Sequence, residues 1–260
     1  MKRFPVIIKN LNWYFGKEQI LDRVNIQVQE GKFYSIIGPN GSGKTTLLKN
    51  INRLLYTPQD AVFLDKEDLT RLSHRKIAKK MAIVPQNTEI DFSFEAMDIV
   101  MMGRTPYLGR FEEEGKEDFK IVKEAMEMTN TWSLRHQNID TLSGGERQRV
   151  IVARAIAQQT PILLLDEPIS HLDLQYQHEL MKVVRGLNQQ KKTTVIAVLH
   201  DLNIAAQYSD ILILLHEGSI VMMDEPAKVL TKQNIREVYG IDVHIIEHPS
   251  TKKPHIIPIG

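Results

Sequence analysis

Phe33-Tyr34-Ser35-Ile36-Ile37-Gly38-Pro39-Asn40-Gly41-Ser42-Gly43-Lys44-Thr45-Thr46 is the stretch whose reading decides the fold. A short apolar run with strand character ends at Gly38, and a helix is expected from about Lys44 to Leu55. Between them the residues match the phosphate-binding pattern G-x-x-x-x-G-K-[ST] at every fixed position. Glycines let the backbone turn sharply and approach a ligand closely. Successive N–H groups can then surround an anion, helped by the partial positive charge of a helix N-terminus. Lys44 supplies a point charge for β- and γ-phosphates, and the Thr45 hydroxyl is placed to bind Mg²⁺. The candidate nucleotide contacts are Gly38, Asn40, Gly41, Ser42, Gly43, Lys44, Thr45 and Thr46. By itself the loop specifies a nucleotide phosphate and no particular reaction.

Outward from the loop, Val6 to Asn12 and Val24 to Val28 read as strands, as do Ala61 to Leu64 and Met81 to Val84. Ser73 can cap a helix through Arg75 to Lys80. From about Asn87 to Gln158 strand signals vanish and helical spacing takes over, with Phe119, Val122, Ala125 and Met126 on one face. Acidic residues from Glu112 to Asp118 gather at the start of that helix, where the macrodipole favours them. Strand and helix then alternate again. Ile162 to Leu165, Val195 to Leu199 and Ile211 to Leu215 are short apolar runs, with a helix from about Gln175 to Leu187 between the first two. Such runs suit strands covered on both faces. The fold class expected is α/β: a P-loop NTPase core with a mainly parallel sheet, an N-terminal antiparallel β-region and an inserted helical subdomain. The expected divisions are a nucleotide-binding core over 1–86 and 159–245, a helical subdomain over 87–158, and a tail over 246–260 that carries little signal.

The run Ile162-Leu163-Leu164-Leu165-Asp166-Glu167 is an apolar strand ending in two carboxylates. Adjacent carboxylates repel and are best tolerated beside a divalent cation. Asp166 is the candidate Mg²⁺ holder, and Glu167 the candidate general base that polarises an attacking water.

Leu142-Ser143-Gly144-Gly145-Glu146-Arg147-Gln148-Arg149 is the most specific string. Ser143 and Glu146 have capping-box spacing, and Val150, Ala153, Ile156 and Ala157 continue an amphipathic helix. Capping does not explain two consecutive glycines at a helix start; they leave bare N–H groups that could receive an anion. Together with the phosphate loop, this string resembles the signature of the ATP-binding-cassette family. The resemblance covers nearly the whole chain, to about Val243. It implies that the substrate is ATP, and that Ser143, Gly144 and Gly145 of one copy close on the γ-phosphate bound by another, so that a homodimer sandwiches two ATP molecules. It also implies that Gln86 is the glutamine linking core to insert, acting at both the metal and the catalytic centre. Ser170-His171-Leu172-Asp173 resembles the family's D-loop, and His200 its γ-phosphate-sensing switch histidine. Phe15 matches the aromatic that stacks on adenine, with Trp13 or Tyr14 as alternatives.

A narrower resemblance, to the ATPase subunits of iron-siderophore, haem and cobalamin importers, rests on Gly103-Arg104-Thr105-Pro106-Tyr107-Leu108-Gly109, Leu199-His200-Asp201-Leu202-Asn203 and Val238-Tyr239-Gly240. Two residues depart from the usual pattern: Ile169 where threonine is common and Asp224 where glycine is common. The resemblance implies integral-membrane permease subunits as partners, an indirect link to a solute-binding protein, and a place at the cytoplasmic face of the membrane. Phe92, Phe94, Met97, Val100, Met101, Met102, Tyr107 and Leu108 exceed what a small insert can bury, so part of this set is expected to receive a permease helix.

Composition agrees with a cytoplasmic globular ATPase and narrows the rivals. The 260 residues are 42% apolar and 25% charged, with 33 basic and 32 acidic side chains for a net charge of +1. No basic footprint for nucleic acid exists. The absence of cysteine excludes disulfides, thiolate metal sites and cysteine nucleophiles. No apolar stretch reaches the ~18 residues of a membrane span, and Met1 to Asn10 lacks the form of a signal peptide. His244, His248 and His255 meet no firm metal-ligand spacing and read as surface residues. The alternative is a soluble cassette ATPase in cofactor assembly or nucleic-acid maintenance. A small-molecule kinase would lack the string from Leu142 to Arg149.

Overall fold

Strands β1 (Val6–Phe15) and β2 (Glu18–Val28) pair antiparallel and reach further than their apolar alternation indicates, because the register continues to Phe15 opposite Glu18. In the computed structural model, which describes residues 3–86, 93–170 and 172–259, the chain packs as two units. One is built from Met1–Ser73 with Thr194–Gly260, the other from His74–Thr193.

In the first unit, β3 (Phe33–Ile37) has all five residues buried and delivers the phosphate loop to helix α1 (Lys44–Ile51). The helix stops at Ile51, four residues short of the sequence expectation. Arg53 takes a left-handed φ of +55°, and the N–H groups of Arg53 and Leu54 bond back to Asn50 O and Lys49 O. This paired closure is a Schellman end made without glycine, which residue type alone does not reveal. Strand β4 (Val62–Leu64) joins β1 antiparallel and turns into the short β5 (Glu67–Asp68), completing the N-terminal antiparallel sheet in the order β2-β1-β4-β5.

The second unit begins with α2 (His74–Ala78) and β6 (Met81–Val84). The insert then supplies α3 (Ala96–Met101), α4 (Lys116–Met128) and α5 (Gly144–Ala157). On α4 the buried stripe is Ile121, Val122, Ala125 and Met126. Phe119, expected on that face, is instead 49% exposed; it lies at the stripe's edge in the first turn. Gly115 N–H donates to Asp118 at 3.0 Å, so one of the acidic residues read as dipole partners serves as a cap. Arg104, nearly buried, donates to Asp118 at 2.8 Å and to Ala157 O at 2.9 Å. Tyr107 lies under that guanidinium and donates its hydroxyl to Gln158 O at 2.8 Å. Strand β7 (Ile162–Asp166) is buried throughout and pairs parallel with β6. Helix α6 (Leu174–Lys191) runs four residues past the expected end, to a left-handed Lys192.

The chain then returns to the first unit with β8 (Thr194–Val198), α7 (Leu202–Tyr208), β9 (Ile211–His216) and β10 (Ser219–Asp224). Strand β3 lies between β8 and β9, parallel to both, and β10 turns back antiparallel on β9. Short helices α8 (Pro226–Val229) and α9 (Lys232–Tyr239) follow. The tail holds a hairpin of β11 (Val243–Glu247) and β12 (Pro254–Pro258). Asn203 of α7 fixes it through two bonds to the Ile256 backbone, at 2.7 and 3.1 Å. Its alternation was hidden by the prolines that bound β12. His248 Nδ1 accepts the N–H groups of Ser250 and Thr251 and organises the hairpin turn.

Candidate nucleotide site

On the first unit the parallel strands deliver Gly38 to the end of β3 at φ +154°. A Cβ there would lie 2.1 Å from Leu215 O of the neighbouring strand β9, so only glycine fits. Gly43, at φ +97°, is the N-cap of α1, which leaves the helix start open for an anion. Lys44 is buried and its ammonium donates to Gly38 O at 3.0 Å and Pro39 O at 2.7 Å. Those neutral carbonyls hold the charge in place without cancelling it. The Ser42 hydroxyl is buried and has no hydrogen-bond partner among the described residues. A desolvated hydroxyl of that kind fits a loop built to receive phosphate oxygens. Thr45 and Thr46 stand half-buried in the first turn of α1, while Asn40 and Gly41 are exposed at the tip.

His200 is exposed directly after β8, and Asp201 caps α7 by accepting from Asn203 N and Ile204 N at 2.7 and 2.9 Å. At the end of β1, Phe15 is 74% exposed. Trp13 is engaged elsewhere, its indole N–H donating to Tyr56 O at 3.0 Å. Phe15 therefore presents the more available ring for stacking, with Tyr14 next.

On the second unit, strand register explains a pairing across 81 positions of sequence. Val84 of β6 lies opposite Leu165 of β7. Two residues further on, Gln86 Nε2 donates to Glu167 Oε2 at 2.7 Å. Asp166 is buried at the end of β7, and Glu167 follows at φ +50°. A left-handed conformation costs a non-glycine residue ~1 kcal/mol or more and is worth an explanation at a candidate base. The loop after Glu167 is stapled by Gln148 to Pro168 O at 3.2 Å and by Gln177 to Ile169 O and Leu172 O at 3.2 and 2.9 Å. Leu172 and Asp173 of the D-loop string lie there; His171 lies outside the described residues.

Ser143 caps α5 as its spacing predicts. Glu146 N donates to Ser143 Oγ at 3.3 Å, and Ser143 N donates to Glu146 Oε2 at 3.0 Å. The Ser143 hydroxyl and N–H together hold the Glu146 carboxyl below the usual carboxylate range. Ser143 and Gly144 are exposed and Gly145 half-exposed, so the helix start is accessible to a ligand. Of the candidate docking residues, Val100 and Met101 are buried core, whereas Phe94 and Met102 are 38% and 42% exposed. Met97, Tyr107 and Leu108 are half-buried, and Phe92 lies outside the described residues. Phe111, almost fully exposed, belongs beside this set and was missed because it stands alone in a charged run.

Residues 21–170 match the family described as ABC transporter. The chain is 37% identical over 246 residues to the ferric enterobactin transport ATP-binding protein FepC of Escherichia coli (strain K12), covering 95% of this chain and 91% of that protein. Among solved structures, it matches a chain of an inward-facing, metal-chelate type ABC transporter with TM-score 0.84 and 25% identity, over 99% of this chain and 98% of that one. It also matches a dimeric bacterial ABC transporter cassette with TM-score 0.76 and 29% identity, over 85% of this chain and 98% of that one.

Proposed function

The chain belongs to the ABC transporter family, and from that premise we propose that it is the ATP-hydrolysing subunit of an importer for metal chelates of the iron-siderophore, haem or cobalamin type. The observation that carries the ATPase reading is the carboxylate pair at the end of β7, with Glu167 held by Gln86 at 2.7 Å. Glu167 takes the proton of the attacking water as general base, Gln86 orients that carboxylate, and His200 contacts the γ-phosphate. Lys44 and the loop from Gly38 to Thr46 hold the phosphates, and Phe15 stacks on adenine. Oxygen donors on Thr45, Asp166 and Gln86 suit Mg²⁺, a hard cation. When bound, that ion neutralises charge developing on the transferred phosphate.

In this reading two copies close on two ATP molecules, each offering Ser143, Gly144 and Gly145 to the other's γ-phosphate. The dimeric cassette relative supports that assembly. We assign the nucleotide-binding core to 1–86 and 159–245, the partner-sensing subdomain to 87–158 and the tail to 246–260. No helix among the described residues is long and apolar enough to cross a membrane. The membrane role therefore runs through permease subunits that seat a helix on the exposed part of the set from Phe94 to Leu108, at the cytoplasmic face, with a solute-binding protein acting on the far side. The chelate class rests on the names of the relatives and on the strings around Arg104, His200 and Tyr239.

The test is reconstitution. Purified chain and its permease in vesicles should take up an Fe(III)-siderophore only when MgATP is supplied to the ATPase side. Phosphate release without chelate uptake, across siderophore, haem and cobalamin cargoes, would reject the importer assignment while leaving the ATPase.

A further inference from the structure

The phosphate loop is held from outside by a residue that lies in none of the nucleotide motifs. Gly38 N–H, at the exit of β3, donates to the phenol oxygen of Tyr239, the last residue of α9. Burial pushes the Tyr239 phenol well above its ordinary pKa, so the oxygen stays neutral across the working range. The ring is set by the packing of its helix. Ile235 and Val238 are buried, and the Thr231 hydroxyl caps the start by accepting from Asn234 N at 3.1 Å. Gly240, at φ +71°, closes the end by donating to Arg236 O at 3.0 Å.

The remaining outward groups of the loop are engaged by other elements. Lys44 covers Gly38 O and Pro39 O. The Ser42 N–H donates to Pro39 O at 3.3 Å, and Gly218 N–H, from the turn between β9 and β10, donates to Ser42 O at 3.2 Å. Gly38 has the most to gain from an external tether. Leu215 O excludes any side chain there, and glycine has the weakest intrinsic preference for one φ, ψ pair. Without the Tyr239 oxygen a buried N–H loses its acceptor, and the junction can relax by turning about Gly38. That motion displaces the Gly38 carbonyl on which Lys44 rests.

We propose that Tyr239 is a positioning residue for nucleotide binding, its hydroxyl oxygen holding the strand-to-loop junction in the geometry that phosphates require. The inference rests on the ATP site proposed above. Tyr34 supplies an internal control: its hydroxyl oxygen also accepts a backbone N–H, from Gln29 at 2.8 Å, and it stands on the same strand four residues before Gly38. Tyr239→Phe and Tyr34→Phe each remove one acceptor from one backbone N–H, but only the first does so at the loop. On the full chain, Kd for a non-hydrolysable ATP analogue, KM and kcat for ATP, and the thermal midpoint are measured for both. Tyr239→Phe should raise Kd and KM about tenfold, the size of one lost bond, with kcat within twofold of wild type. Tyr34→Phe should lower the midpoint at least as far and leave Kd and KM unchanged. Unchanged Kd in Tyr239→Phe, or equal weakening by both substitutions, overturns the inference while the ATP site stands. A wild-type chain that binds no ATP would sink the nucleotide reading and this inference together.

Discussion

Replacing Glu167 by glutamine isolates its role as a base, because nearly everything else at that position survives. The amide oxygen of the replacement can accept the Gln86 bond now made at 2.7 Å. Exchanging a charged acceptor for a neutral one weakens that bond by roughly 0.5–1.5 kcal/mol. Backbone strain at φ +50° is the same for either side chain, ~1 kcal/mol, and contributes nothing to the difference. Stability should therefore fall by no more than about 1.5 kcal/mol. Loss of the general base removes about 10²–10⁴ in rate, equivalent to roughly 3–5 kcal/mol of transition-state stabilisation. The two effects are thus separable by size. Phosphate release at saturating MgATP should drop 10²–10⁴-fold, while ATP binding persists and an ATP-bound dimer accumulates in light scattering. Glu167→Gly sharpens the test. Relief of the left-handed strain is offset by the lost Gln86 bond and by added chain entropy of about 0.5–1 kcal/mol. The variant should stay within about 1 kcal/mol of wild-type stability and be as inactive as the glutamine form. Turnover of Glu167→Gln within tenfold of wild type would remove Glu167 from its assigned role.

Ser143→Arg places a long cation at the exposed start of α5, where a partner's γ-phosphate would sit; it should leave ATP binding by the monomer intact and abolish ATP-driven dimerisation in a Glu167→Gln background. Undiminished dimer formation by light scattering would reject the sandwich. Met102→Glu puts a charge on a 42% exposed methionine of the docking set and should abolish permease-coupled uptake while the isolated chain keeps its basal ATPase; uptake at the wild-type level would place the docking site elsewhere. The Asp118 carboxyl is held below the usual range, first by the Arg104 hydrogen bond and then by Gly115 N–H. A depressed folded pKa contributes stability above the unfolded value, near 4, that is lost as pH falls through the folded one. Asp118→Asn should therefore cost about 1–3 kcal/mol at pH 7, less than a fully buried pair because its side chain keeps 15% exposure, and little at pH 2–3. Urea midpoints that differ equally at both pH values would contradict this.

The sequence by itself determined what is local. The strand–glycine loop–helix at Gly38 to Thr46, the carboxylate-ended strand at Asp166 and the Ser143–Glu146 capping box each depend on residues within a few positions of one another. Short-range sterics and hydrogen bonds settle them before any packing. Apolar spacing likewise marked the helical insert and the buried strands. Tertiary structure decided the rest, for reasons that lie far apart in the chain. Gln86 meets Glu167 because β6 and β7 pair in parallel register, and no local pattern specifies which strands become neighbours. Gly38 is obligatory because β9 brings Leu215 O against it. Tyr239 reaches the same peptide only after α9 has packed. Met101 went into the core while Met102 stayed out, and Phe119 lost its place to Ile121. Hydrophobicity states that a side chain gains by burial, but the finite area of the facing element determines which ones obtain it.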